Sequence, residues 1–120
     1  SELFNKHHYK YVDKFDSKEE YECAKHIDKL SQVTTWIKNI SKDAKNSFWL
    51  QTSTDKFYPD FIIKTKDKII VAEYKGADRK SNDDTKEKDI IGKLWASQGG
   101  NCKFFMLYKD SFKETLKELK

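Results

Sequence analysis

No run of this 120-residue sequence stays apolar long enough to serve as a membrane-spanning helix. No signal-peptide pattern is legible either, although an excised domain would have left such a segment behind. Glycine is sparse, and its four residues form no glycine-rich phosphate loop, so nothing internal points to ATP binding. The two cysteines, Cys23 and Cys102, stand far apart without C-x-x-C spacing or companion histidines. That excludes a zinc or redox motif and suits reduced, buried thiols in a cytoplasmic protein. His7 and His8 would face opposite sides of a strand and His26 stands alone on a lysine-rich helix, so the histidines offer no metal cluster. Charge of one sign is also lacking: 24 Lys and Arg face 20 Asp and Glu, a net of +4. Any surface for a polyanion must therefore come from segregation of lysines rather than from overall charge.

What the chain does have is aromatic bulk, 14% of residues against 37% hydrophobic in all. Trp36, Trp49 and Trp95 bury much area per residue, and the length suits one small α/β domain with no room for a second. The patterning predicts a strand near 8–15, a helix over 17–30 and strands around 33–40 and 48–52. A hairpin over 57–75 follows, then a helix over 85–98 that stops at Gly99-Gly100, a strand over 102–108 and a helix over 110–119. Asp16 or Ser17 caps the first helix, and Asp84 with Glu87 makes a capping-box-like start for the second, whose apolar stripe is Ile90, Ile91, Leu94 and Trp95. Phe112, Leu116 and Leu119 fall on one side of the last helix. The 102–108 run is apolar enough for a central strand, and after a helix it should pair parallel to the strand before that helix.

The single proline, Pro59, directly precedes Asp60, where its missing N–H removes nothing from a strand ladder. Two β-branched, aromatic-rich runs flank the polar turn Lys66-Asp67-Lys68, and the second ends in Glu73-Tyr74-Lys75. With a side-chain period of two, Glu73 and Lys75 emerge on one face, and Asp60 opens the partner strand. The three groups are expected to converge at one exposed end of the hairpin. Asp60 and Glu73 are hard oxygen ligands of the kind Mg²⁺ takes, with the Tyr74 carbonyl between the charged side chains as a further candidate. Lys75 would orient a water or neutralise charge on phosphorus, so the spacing points to metal-dependent phosphodiester cleavage. The same spacing also occurs in ordinary solvated hairpins of a highly charged chain.

Both flanks bear on that choice. On the first helix the inner face runs through Cys23, Ala24, Ile27 and Leu30, and Glu20 shares it while Glu19 and Glu22 point to solvent. An inward acid calls for a partner or a metal, although a first-turn acid also complements the helix dipole. On the second helix Lys88 sits at the edge of the stripe, within reach of a phosphate or simply covering apolar surface with its stem. Lys64, Lys66, Lys68, Arg79, Lys80, Lys86 and Lys88 surround the motif in sequence and are candidate phosphate contacts, or else a solvated lysine-rich face.

Five blocks in this order are more specific than the hairpin: Trp36-Ile37-Lys38-Asn39-Ile40, Ser47-Phe48-Trp49-Leu50, Phe57-Tyr58-Pro59-Asp60-Phe61, Ala72-Glu73-Tyr74-Lys75-Gly76, and Asp84 to Lys88 with Ile91-Gly92-Lys93-Leu94-Trp95. Together they resemble the C-terminal endonuclease domain of type III restriction enzyme Res subunits, in the PD-(D/E)xK nuclease superfamily, from about Tyr9 to Tyr108. The resemblance implies a restriction-endonuclease-like α/β fold with a mixed sheet flanked by helices. Residues 1–120 would be one nuclease domain excised from a larger chain. It further implies Asp60 and Glu73 as metal ligands, Lys75 as the catalytic lysine, an additional acid that is best matched by Glu20, and Mg²⁺ as cofactor with Mn²⁺ as substitute. The implied partners are double-stranded DNA, a helicase-like motor in the parent chain and a methyltransferase subunit. The hairpin turn departs from the family, which often has Asp-Gly where this chain has Asp67-Lys68. A catalytically silent DNA-binding or assembly module, and a junction-resolving or repair nuclease, remain the competing readings.

Overall fold

The computed structural model describes residues 2–9, 11–12, 15, 17–76 and 82–119. Its main sheet contains β3 (Val33–Lys38), β6 (Phe61–Thr65), β7 (Ile69–Lys75) and β8 (Cys102–Tyr108) in the order β3-β6-β7-β8. β1 (Glu2–Leu3) pairs with β2 (Tyr11–Val12), and β4 (Leu50–Gln51) pairs with β5 (Lys56–Phe57), each as a small antiparallel ribbon. The helices are α1 (Lys18–Lys29), α2 (Asp83–Ser97) and α3 (Phe112–Lys117). The fold is thus mixed α/β, a multi-strand sheet flanked by helices. No helix among the described residues is long and apolar enough to cross a membrane.

β6 and β7 form the expected hairpin, its turn closed by Thr65, which donates its N–H to the Lys68 carbonyl and accepts the Lys68 N–H on Oγ1. β7 and β8 are parallel, so the chain must cross over between them, and α2 is that crossover. Parallel pairing was expected of β8, a central position was not found: β8 lies at an edge of the sheet. It reads as apolar because both its faces are covered. Leu107 joins the core beneath α1 and α3 with Trp36, Phe61, Ile63, Ala24, Ile27 and Leu116. Phe104 and Met106 join Phe57 and Val71 on the other face, against Trp95 and Ala96 of α2.

α1 begins as read, with Ser17 Oγ accepting the Glu20 N–H at 3.0 Å; the alternative cap Asp16 is outside the described residues. α2 starts differently. Asn82 caps it by accepting the Thr85 N–H at 2.8 Å, while Asp84 pairs with Lys88 and Glu87 accepts the Ser53 N–H. Half of the expected stripe faces inward, with Ile91 and Trp95 half-buried and Trp95 packed against the Phe57 and Phe104 cluster, while Ile90 and Leu94 are 67% and 60% exposed. Thr85 and Gly92 are its buried residues, two turns apart on one face. A Cβ at Gly92 would lie 2.4 Å from the Phe104 ring, so glycine sets how closely the helix backbone meets β8. The 48–52 region forms only the two-residue β4, since Asn39 holds Phe48 by its side-chain amide, donating to the carbonyl and accepting the N–H. Within the strand expected near 8–15, Tyr11–Val12 forms β2, and residues 10, 13 and 14 are outside the described residues; the last helix shortens to Phe112–Lys117, with Phe112, Leu116 and Leu119 buried as patterned.

Candidate active site

At the end of the hairpin opposite its turn, the last paired residues are Phe61 and Ala72. Beyond them the ladder is replaced by a crossed pair of carboxylate bonds. Asp60 N–H donates to Glu73 Oε1 at 3.1 Å, and Tyr74 N–H donates to Asp60 Oδ2 at 2.8 Å. Each acid is therefore oriented by the backbone that carries the other. The Asp60 carbonyl accepts the Asn39 N–H at 2.8 Å, which ties the same point to the end of β3. On an extended strand the N–H and C=O of one residue share an edge, so the Tyr74 carbonyl lies on the edge that faces Asp60.

Lysines neutralise the acids. Lys75 Nζ is 3.4 Å from Glu73 Oε2, and Lys38 Nζ is 3.6 Å from Asp60 Oδ1 and 3.2 Å from Glu20 Oε1. Glu20 is buried on the inner face of α1, as its spacing indicated, while Glu19 and Glu22 are exposed. The site is not at an exposed end, contrary to expectation: the Asp60 and Lys75 side chains are 12% and 11% exposed. The cause is cover from both flanks, Glu20 and Lys38 on one side and α2 on the other, where Lys88 pairs with Asp84 at 3.0 Å and lies over the Phe57 ring.

Burial, then the Asp60 charge and hydrogen bond, push the Glu73 carboxyl well above the usual carboxylate range, with Lys75 and Lys88 acting against the rise. Burial lowers the Lys88 ammonium, but Asp84, Glu73 and Lys75 outweigh it and leave the group raised. Beneath the site the Cys23 thiol is pushed up by burial and by Asp60 and Glu20, which makes it an inert core group.

Among the described candidate phosphate contacts, only Lys88 is brought to the acids. Lys64 and Lys66 are exposed near the turn, with Lys66 roughly 20 Å along the chain from Asp60 at about 3.3 Å per residue. Arg79 and Lys80 are outside the described residues. Sequence reasoning assigned no role to Lys38, yet it lies two residues after the buried Trp36 on the same strand face, and that parity was the available signal. His7, whose Nε2 accepts the Lys38 N–H at 2.9 Å, was also missed and has no comparable local signal.

As a metal site, the Asp60 and Glu73 carboxylates with the Tyr74 carbonyl form a hard-oxygen set. That suits a partly hydrated Mg²⁺ or Mn²⁺, which binds through one or two carboxylates. Among the described residues no group of three or more His, Cys, Asp or Glu side chains converges on one ion position. No protein-family model, curated protein or solved structure matches the chain.

Proposed function

We propose that the chain is a metal-dependent endonuclease domain that hydrolyses phosphodiester bonds of double-stranded DNA, with a restriction-endonuclease-like arrangement of its sheet. The observation that carries this reading is the crossed Asp60–Glu73 pair, two largely enclosed carboxylates each held by a backbone N–H of the opposite strand with a lysine on each flank. Burial, and then the neighbouring Asp60 charge, raise the Glu73 carboxyl, and a divalent cation is a partner that would favour its ionised form.

A bound Mg²⁺ or Mn²⁺ would polarise the scissile phosphate and make a water more acidic. Asp60, Glu73 and the Tyr74 carbonyl would hold it. Lys75 stands beside Glu73, placed to orient the attacking water or to balance charge developing on phosphorus. Lys88 adds a second ammonium on the α2 side of Glu73, where it would contact the DNA backbone. The described residues carry no recognisable groove-reading motif, so DNA contact would be mainly through phosphates. Choice of site would lie with a motor domain and a methyltransferase subunit, as the sequence resemblance implies.

The test is incubation of the purified chain with supercoiled plasmid and either Mg²⁺ or Mn²⁺, with EDTA as control. Metal-dependent nicking or linearisation supports the reading. Absence of cleavage over a range of metal and salt conditions would favour the silent DNA-binding module, and cleavage of branched junctions but not linear duplex would favour the junction nuclease.

A further inference from the structure

Lys38 has a more enclosed ammonium than a surface ion pair would give it. Its side chain is 13% exposed, and Nζ is surrounded by oxygen from three directions: Glu20 Oε1 of α1 at 3.2 Å, Asp60 Oδ1 at 3.6 Å, and the Asn39 carbonyl at 3.2 Å. The Asn39 carbonyl accepts a hydrogen bond from the ammonium, and the two carboxylates are its ion-pair partners. The backbone beneath it is fixed as well, by the Lys38 N–H on His7 Nε2 and the Asn39 N–H on the Asp60 carbonyl. Two carboxylates and a carbonyl are also the oxygen set that a divalent cation takes. Asp60 thus separates two neighbourhoods, with Glu73 and Lys75 on one side and Glu20 and Lys38 on the other.

We propose that the Lys38 ammonium is a built-in cation filling the oxygen cage between Glu20 and Asp60, so that the acid cluster accepts a single divalent ion, on its Glu73 side. The inference rests on the metal-dependent reading of Asp60 and Glu73. Lys38 acts through the two acids and is a positioning residue. It keeps Glu20 in the site without making it a metal ligand. Removing its charge while retaining its stem would leave Glu20, Asp60 and the Asn39 carbonyl as an unneutralised cage, open to a second ion.

Mn²⁺ binding to the full chain, measured by titration calorimetry, tests this with the wild type, K38M, K38R and the double variant E20Q/K38M. The expected stoichiometries are one ion for the wild type, two for K38M, and one again for K38R and for E20Q/K38M. If K38M does not fold without metal, it is refolded in Mn²⁺ and its bound ions are counted by elemental analysis after gel filtration. Two ions in the wild type, or one in folded K38M, overturn the inference while leaving the nuclease reading in place. No ion bound by the wild type overturns both.

Discussion

Replacing Asp28 with alanine should destabilise the protein by about 4 kcal/mol, because one buried carboxylate organises three chain segments. Asp28 Oδ1 accepts the Lys6 N–H at 2.7 Å and the Trp36 indole N–H at 3.0 Å, and Oδ2 accepts the Asn5 N–H at 3.0 Å. Hydrogen bonds to an ionised group contribute about 1.5–3 kcal/mol each, and a buried donor left without a partner costs about 1–3 kcal/mol. Trp36 is 1% exposed, so water cannot replace the carboxylate at its indole. Since these terms are not additive, about 4 kcal/mol is the expected net loss, a large share of the roughly 5–15 kcal/mol that holds a domain together. Burial pushes the Asp28 carboxyl up, but the bonds from Trp36, Asn5 and Lys6 outweigh it and hold the group below its usual value. Its contribution is therefore present above the ordinary carboxylate range and is lost as pH falls through the lower folded value. Urea denaturation of wild type, Asp28→Asn and Asp28→Ala at neutral pH is the assay, with Asp28→Asn intermediate because it keeps an acceptor oxygen. A loss below about 1 kcal/mol in Asp28→Ala would show that the hub carries little of the fold's stability. The site depends on this hub indirectly, because the segment it anchors carries His7 to the Lys38 N–H.

Gly92→Ala should lower the melting temperature despite alanine's helix preference of about 1 kcal/mol, because the added methyl would enter the Phe104 ring and overpacking costs about 1–3 kcal/mol; a more stable variant contradicts the close contact. Burial is the main cause lowering the His7 pKa, so its contribution is present above about pH 6.5 and is lost as pH falls below that value through the lower folded one; His7→Gln should remove that part of the pH dependence, and an unchanged stability profile from pH 7 to 5 would sink the assignment. Glu20→Gln should reduce cleavage by at least about tenfold, with Glu19→Gln and Glu22→Gln near wild type, and equal losses in all three would show that the inner helix face has no special part in the reaction.

The features legible in the sequence are those fixed by short-range chemistry. Alternation around Lys66-Asp67-Lys68 reveals the β6–β7 hairpin, and helical spacing puts Glu20 with Cys23, Ala24 and Ile27, because both periods are properties of the local backbone. The parallel β7–β8 pair follows from the intervening helix. The inner face of α2 was legible only in part, since Trp95 packs inward as patterned, whereas Ile90 and Leu94 are exposed and the close contact of Gly92 with Phe104 of β8 had no sequence signal. The Asn39 clasp on Phe48 likewise joins residues nine apart and interrupts a segment that patterns as a strand. At the site, Asp60, Glu73 and Lys75 share one hairpin and could be placed together, whereas Lys38 enters only when β3 pairs with β6. The burial of the site was hidden for the same reason, because its cover comes from α1, β3 and α2.

The most direct test of the central claim is the rate of metal-dependent plasmid cleavage by Asp60→Asn and Lys75→Ala beside the wild type. It is measured on proteins whose circular dichroism is unchanged, a necessary check since both side chains are largely enclosed. If the hairpin end is the catalytic centre, wild type cuts in Mg²⁺ or Mn²⁺ and both variants lose cleavage. Wild-type cleavage that persists in either folded variant would place the chemistry elsewhere and contradict the account.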